Sequence, residues 1–368
     1  MPSVIEIGPV LAWSSKDRSV RRFYPQLDGL RAVAISLVLI THCEDLKLPA
    51  ALAYLASMGW IGVDAFFVLS GFLITGILLR SEPGLRAFGR FALRRTLRTW
   101  PLYFSVLFVA YLALRLHGSG EQVDWLQHVF FLQNYSPEFF ARSLTPTWSL
   151  CVEEHFYLLW PFLIFFRPRR ALPWTLSVLF FALPGVRYWG LHHAFTYKQL
   201  YTETQFHLDG LVAGSIVAVL ISRYAIPLGV MIRIAYVCLI LGFGTAFLGF
   251  WRNWGESKGQ NVLFGFTSLA VAFAGLLLLL LLRETSLLGK VFSLGWMRYI
   301  GRISYGIYIL NDGVIAILSR APLHRIVGPV GDSWYFVSAM RIGLSICVAA
   351  LSYRFFESPI LRFKDRLR

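Results

Sequence analysis

Uninterrupted apolar runs, each close to the length that crosses a bilayer as a helix, recur along this 368-residue chain. About 20 apolar residues in a helix span ~30 Å of hydrocarbon. Ten such runs are read here, at 32–48, 58–79, 100–116, 147–166, 172–190, 206–222, 228–249, 262–282, 303–319 and 335–356. They are continuous rather than alternating, which excludes strands of the outer-membrane barrel type. The expected fold is all-α, a polytopic integral membrane bundle of about ten transmembrane helices. Composition agrees: 57% of residues are hydrophobic and only 15% charged, against about a quarter charged in soluble domains. A disordered chain, a disulfide-stapled secreted domain and an ordinary cytosolic enzyme are excluded.

The net charge of +15 then speaks for topology and membrane lipids rather than for nucleic acid. With the N-terminus inside, 23 Lys and Arg fall in inner segments, 9 in outer segments and three within spans. Basic residues collect in cytoplasmic loops, so both termini are expected to be cytoplasmic and the protein integral to the inner membrane. Residues 1–26 read as a cytoplasmic N-terminal segment without the apolar core of a cleavable signal, 27–361 as a single membrane domain, and 362–368 as a basic cytoplasmic tail. The outer segment 117–146 carries an amphipathic pattern, Trp125-Leu126, Val129-Phe130 and Tyr135, suited to the outer interface. Cys43, Cys151, Cys238 and Cys347 are too scattered for a metal site or disulfide framework and read as four small buried hydrophobes. No metal site is expected.

Ionisable residues at membrane depth are costly and are functional candidates by default. Asp28 and Arg31 are spaced to pair on one helix face. His42 follows Arg31 by eleven residues, about 16 Å along a helix, and an imidazole is the side chain best suited to take a proton near neutral pH. A histidine at the outer helix end beside Glu44 and Asp45 is the competing reading. Asp64 opens the second span, where it either caps the helix or faces a site. Ser70-Gly71 supplies small residues for close packing, and Ser70 lacks the Gly-x-Ser-x-Gly elbow of a hydrolase nucleophile.

Arg90, Arg94, Arg95 and Arg98 form a cationic face ahead of Trp100-Pro101. Topology and anionic lipid account for it, and so does a cradle for a phosphate-bearing ligand. Glu153, Glu154 and His155 sit in succession inside an apolar span. Glu154 precedes Arg167 by thirteen residues, about 20 Å of helix, a depth comparable to that of His42. The two spans are therefore expected to bring these groups to one cavity, with adjacent glutamates pointing about 100° apart. Asp209, the Arg302 to Gly306 stretch and Glu357 are weaker signals.

Leu27 to Arg31 with His42, Gly62 to Thr75, Arg94 to Tyr103, Ser149 to Pro161, Gly301 to Ile309 and Tyr353 to Pro359 together resemble the membrane acyltransferase-three family, in order, from about residue 24 to 363. The resemblance implies a ten-helix inner-membrane O-acyltransferase. It would take an acyl group, most often acetyl, from cytoplasmic acyl-CoA to a hydroxyl of a carbohydrate, glycoconjugate or glycosylated metabolite. Acyl-CoA would be donor substrate, with no permanently bound cofactor. The family's Arg-x10-His pattern falls on Arg31 and His42, its Arg-x-x-Arg pattern on Arg95 and Arg98, and its buried acid on Glu153 or Glu154, with Glu154 slightly favoured as the partner of His42. Some relatives carry an added periplasmic hydrolase-like domain, which is not expected here. Two departures stand out: His155 occupies a position often held by Gln, and Asn311 one often held by His; Asn311 is given no proton-transfer role.

The expectation is that His42 with Glu154 or Glu153 performs the chemistry. Asp28, Arg31, Arg95, Arg98, Asp64, Ser70, His155 and Asp209 would bind substrate or donor. The alternative is a proton-coupled transporter or flippase of an anionic glycoconjugate, in which His and Glu form a relay.

Overall fold

The computed structural model of the chain describes residues 24–43, 48–117, 123–136, 144–251, 261–319 and 328–366. Most of the expected N-terminal segment, the Glu44 and Asp45 neighbours of His42, parts of the 117–146 segment and the end of the basic tail lie outside the described residues. Among the described residues the regular structure is helical, with no strands. In chain order the helices are α1 (Pro25–Thr41), α2 (Ala50–Ser57), α3 (Ile61–Arg80), α4 (Leu85–His117), α5 (Trp125–Val129), α6 (Thr147–Phe166), α7 (Leu172–His192), α8 (Tyr197–Thr202), α9 (Asp209–Arg223), α10 (Leu228–Trp251), α11 (Phe266–Leu282), α12 (Leu287–Phe292), α13 (Gly295–Leu318), α14 (Trp334–Ser352) and α15 (Ser358–Arg366). A wide turn over Tyr353–Glu357 joins the last two.

Each of the ten apolar runs overlaps a helix of 15 residues or more among the described residues. Among the described residues, six stretches are long and apolar enough to cross a membrane: Ile61–Arg80, Leu85–Leu116, Thr147–Phe166, Leu228–Gly249, Leu263–Leu282 and Trp334–Phe363. With 17 and 15 residues, α1 and α9 are short for a full crossing, and the count of ten crossings stays an expectation of the sequence.

The boundaries differ where polar residues are helical. The first helix begins at Pro25 and ends at Thr41, not at 32 and 48. Proline at the first position is pre-set for a helix and loses no bond there, and the buried Gln26 amide donates to the Leu280 carbonyl at 3.1 Å. The arginine face and the run 100–116 form one 33-residue helix, α4, with Pro101 inside it. Pro101 withholds the N–H that would bond Leu97.

Close backbone approach fixes the centre of the bundle. A side chain at Gly71 would overlap the Leu211 carbonyl, and one at Gly214 the Val68 carbonyl. Contact between α3 and α9 therefore runs backbone to backbone, as small residues allow in membrane bundles. Gly301 likewise lets α13 rest on the Asp28 carbonyl of α1. These contacts place α1 between α3 and α13, with α6 against α3 and α4 against α6 and α13.

Two expectations need correction. Arg187, counted with the outer segments, is fully buried within α7. Cys43 and Cys151 are buried as expected, but Cys238 is half-buried and Cys347 exposed on the outer face of α14.

Candidate active site

Five helices enclose a cavity of about 90 Å³, and helical periodicity decides which side chains reach it. On α6, Ser149, Glu153 and Tyr157 recur every four residues and share one face; on α3, Val63, Phe66, Phe67, Ser70 and Leu73 do the same. From α4 come Arg95, Arg98 and Thr99, from α13 Ser304, Tyr305 and Tyr308, and from α1 Arg31. The lining is thus apolar wall, hydroxyl groups, one carboxylate and three guanidinium groups.

The arginines are treated unequally. Arg31 is paired, its Nη1 donating to Asp28 Oδ1 at 2.9 Å, as the spacing predicts. Arg95 lies over the rings of Phe91 and Tyr157, 5.9 and 5.4 Å from their centroids. Neither Arg95 nor Arg98 makes a salt bridge among the described residues. Two guanidinium groups that border the cavity with no salt bridge of their own, beside the single carboxylate of Glu153, suit a ligand that brings its own anion, phosphate above all.

The two glutamates point as adjacent helix positions must. Glu153 reaches the cavity and accepts from the Ser70 hydroxyl. Glu154 turns to α4, accepting from Thr99 Oγ1 at 3.0 Å and from Trp100 Nε1 at 3.2 Å. The cavity-facing acid is therefore Glu153, not the slightly favoured Glu154. Hydroxyl groups complete the interior. The Tyr305 hydroxyl donates to the Thr99 carbonyl at 2.6 Å, the Tyr308 hydroxyl donates to the Pro146 carbonyl at 2.9 Å, and the Ser149 and Tyr308 hydroxyls lie 2.7 Å apart.

His42 caps the C-terminal end of α1, is not among the residues lining the cavity, and meets neither glutamate. Its Nδ1 lies 2.7 Å from the Val38 carbonyl, and its Nε2 lies 3.0 Å from Asp312 Oδ1 of α13. Arg341 of α14 donates to the His42 carbonyl at 2.9 Å. The expected meeting of His42 with Glu153 or Glu154 does not occur, because another helix, α13, supplies the carboxylate at that level.

Four expected binding residues lie outside the cavity lining, and of these Asp28 meets it only through its pair with Arg31. Asp209 forms a two-pronged pair with Arg187 at 2.6 and 3.0 Å, and both side chains are fully buried. Thr267 and the Leu263 and Phe206 carbonyls complete the guanidinium shell. Asp64, also fully buried, lies 3.2 Å from His207 Nε2, whose Nδ1 bonds the Tyr201 carbonyl at 2.7 Å. His155 Nδ1 lies 2.7 Å from Thr204 Oγ1, next to Tyr135.

Sequence reading missed Asp312, Arg341, Arg187 and His207, although each is an ionisable residue within or beside an apolar run and meets the rule that singled out His42. Outside the spanning helices, burial holds the His128 imidazole below its ordinary value, and its Nδ1 bonds the Asp124 carbonyl at 2.9 Å.

A family model described as an acyltransferase domain matches residues 24–352. The chain is 29% identical over 381 residues to the peptidoglycan O-acetyltransferase OatA of Listeria monocytogenes, covering 93% of this chain and 56% of that protein. It is 28% identical over 371 residues to the O-acetyltransferase OatA of Staphylococcus aureus, covering 92% and 57%. The chain thus spans just over half the length of these relatives. No solved structure matches it.

Proposed function

The chain belongs to the acyltransferase-three family, and on that premise we propose that it transfers an acyl group, acetyl above all, from acyl-CoA to a hydroxyl of a cell-envelope carbohydrate or glycoconjugate. The observation that carries this reading is the cavity where Arg95 and Arg98, free of internal ion pairs, border the hydroxyl-lined interior with Glu153. The relatives named as O-acetyltransferases support the acetyl group and the oxygen acceptor. The basic split of the sequence supports a donor side facing the cytoplasm, in an inner membrane with both termini inside.

The chemistry follows from the groups present. Arg95 and Arg98 hold donor phosphate by charge-assisted hydrogen bonds. The acceptor hydroxyl is a poor nucleophile near neutral pH and needs a positioned base, which is His42. Its oxygen attacks the thioester carbonyl, its proton passes to the imidazole, the carbon–sulfur bond breaks, and the CoA sulfur leaves as thiol. The guanidinium groups at the cavity supply positive charge for the negative oxygen that forms on the carbonyl.

Purified protein in liposomes with radiolabelled acetyl-CoA and isolated envelope glycans tests this reading. Label should appear on the glycan in alkali-labile ester linkage. Movement of unmodified glycan across the liposome without label would replace the enzyme with a transporter. Loss of the base should cost about 10²–10⁴-fold in rate, so a His42→Gln variant within a few-fold of wild type, at equal membrane abundance, would remove His42 from the mechanism.

A further inference from the structure

Glu357 is a buried carboxylate that the reaction above does not use. It closes the wide turn Tyr353–Glu357, is 7% exposed and lies outside the cavity lining. The Ser352 hydroxyl donates to its Oε1 at 3.2 Å, and it makes no salt bridge among the described residues. The room it occupies is left by a missing side chain: a Cβ at Gly306 of α13 would stand 2.9 Å from that oxygen. A carboxylate so far from water with a single hydroxyl donor is costly, and a positive charge nearby offsets the cost.

That charge is Arg98. The turn packs against α4, as α15 does, and the charge acting on Glu357 is that of Arg98. Arg98 in turn needs such an attraction. It shares the cavity lining with Arg31 and Arg95, and the like charges repel one another. It makes no salt bridge among the described residues. Its side chain is exposed, long and flexible, so solvent and lipid phosphate are open to it. Glu153 draws it from within the cavity, and Glu357 draws it from the side of the turn.

We propose that Glu357 is a positioning residue for Arg98: its carboxylate, seated against Gly306 and Ser352, keeps the guanidinium at the cavity when no donor is bound. The inference rests on the donor-binding part of the reading above. A guanidinium already in place leaves less ordering for the donor to supply, and affinity falls by the fraction of time it is elsewhere. Glu357 acts through Arg98, so its loss should never cost more than the loss of Arg98 itself. The acceptor and the chemical step should be untouched.

The test uses the full-length protein in liposomes of zwitterionic lipid, titrated with CoA and assayed with labelled acetyl-CoA and envelope glycan, each variant at equal membrane abundance. Glu357→Gln keeps the shape and the acceptor for Ser352 and removes the charge. It should weaken CoA binding and raise the donor KM about three- to five-fold, the upper range for a solvent-screened charge pair. Arg98→Ala should raise the donor KM roughly tenfold. In Glu357→Gln, kcat and the acceptor KM should stay within about two-fold of wild type, and Glu357→Asp, which keeps the charge, should match wild type as closely on the donor. Added to Arg98→Ala, Glu357→Gln should cost nothing more, since residues of one interaction are non-additive. S-acetylpantetheine, a donor without phosphate, should show the same KM with wild type and Glu357→Gln. If Glu357→Gln inserts poorly, Glu357→Met carries the same expectations. Wild-type CoA affinity in Glu357→Gln beside weakened binding in Arg98→Ala would overturn the role of Glu357 and leave the donor reading intact. Full additivity with Arg98→Ala, or an equal loss toward S-acetylpantetheine, would reduce Glu357 to a structural residue. Wild-type protein that fails to bind CoA would strike the acyl-CoA reading itself, and this role with it.

Discussion

The cavity and the α7–α9 region both bury ionisable side chains among apolar helices, yet they settle the charge in opposite ways. Arg187 meets Asp209 with both side chains fully buried, and Asp64 meets His207 likewise. Every charge there has its answer inside the protein. At the cavity, Arg95 and Arg98 make no salt bridge among the described residues, and three guanidinium groups share the lining with one carboxylate, Glu153. Depth in the membrane therefore does not by itself separate machinery from scaffold. What separates them here is whether each cation is held in an ion pair inside the protein, as Arg187 is, or left without one, as Arg95 and Arg98 are.

The hardest blow to the closed region should be Asp209→Ala, which strands Arg187. Removing one partner of a buried pair costs about 3–5 kcal/mol, so thermal unfolding in detergent should shift down steeply. Replacing both, as Arg187→Met with Asp209→Leu, should recover much of the loss. A single variant that melts with wild type would erase the contrast. Arg98→Ala should do the reverse. Its unfolding should stay within about 0.5 kcal/mol of wild type, while the donor KM rises roughly tenfold, as expected when a uniform phosphate contact goes. A raised acceptor KM with an unchanged donor KM would reassign this arginine. The smallest effect separates neighbours: Glu153→Gln should lower kcat/KM several-fold, the worth of a typical net hydrogen bond of about 1 kcal/mol. Glu154→Gln should leave turnover near wild type, since its partners Thr99 and Trp100 lie on α4. Assays of the pair side by side decide which acid serves the cavity.

The sequence made the helices legible because hydrocarbon demands long apolar runs, and all ten runs fall on helices. It was weaker at their ends. Pro25, Gln26 and Asp28 are helical but polar, so hydropathy placed the start of α1 late. It was weakest on partners. Asp28 and Arg31 pair within one turn, and local spacing was enough to foresee it. His42 and Asp312 are brought together only by the packing of α1 on α13. Asp312 lies inside the run 303–319, and no residue close to it in sequence marks it, because His42 is on another helix. Asp64 and Asp209 looked like site residues for the same reason: their partners, His207 and Arg187, are visible only once α3, α7 and α9 have packed.

The length of α4 carries one more consequence. Its 33 residues rise about 50 Å, some 20 Å beyond what the hydrocarbon requires. Arg86, Arg90, Arg94 and Arg98 follow one another every fourth residue along it, ending at the cavity mouth, with Arg86, Arg90 and Arg98 exposed. A polyanion drifting near this helix feels a rising positive potential before it touches anything. Such a gradient speeds encounter rather than tightening the final complex, and it fades as ions screen it over a Debye length of about 8 Å at physiological salt. On the proposed reading, the rate at which an anionic donor is captured is then set by the field along this helix and falls as salt rises.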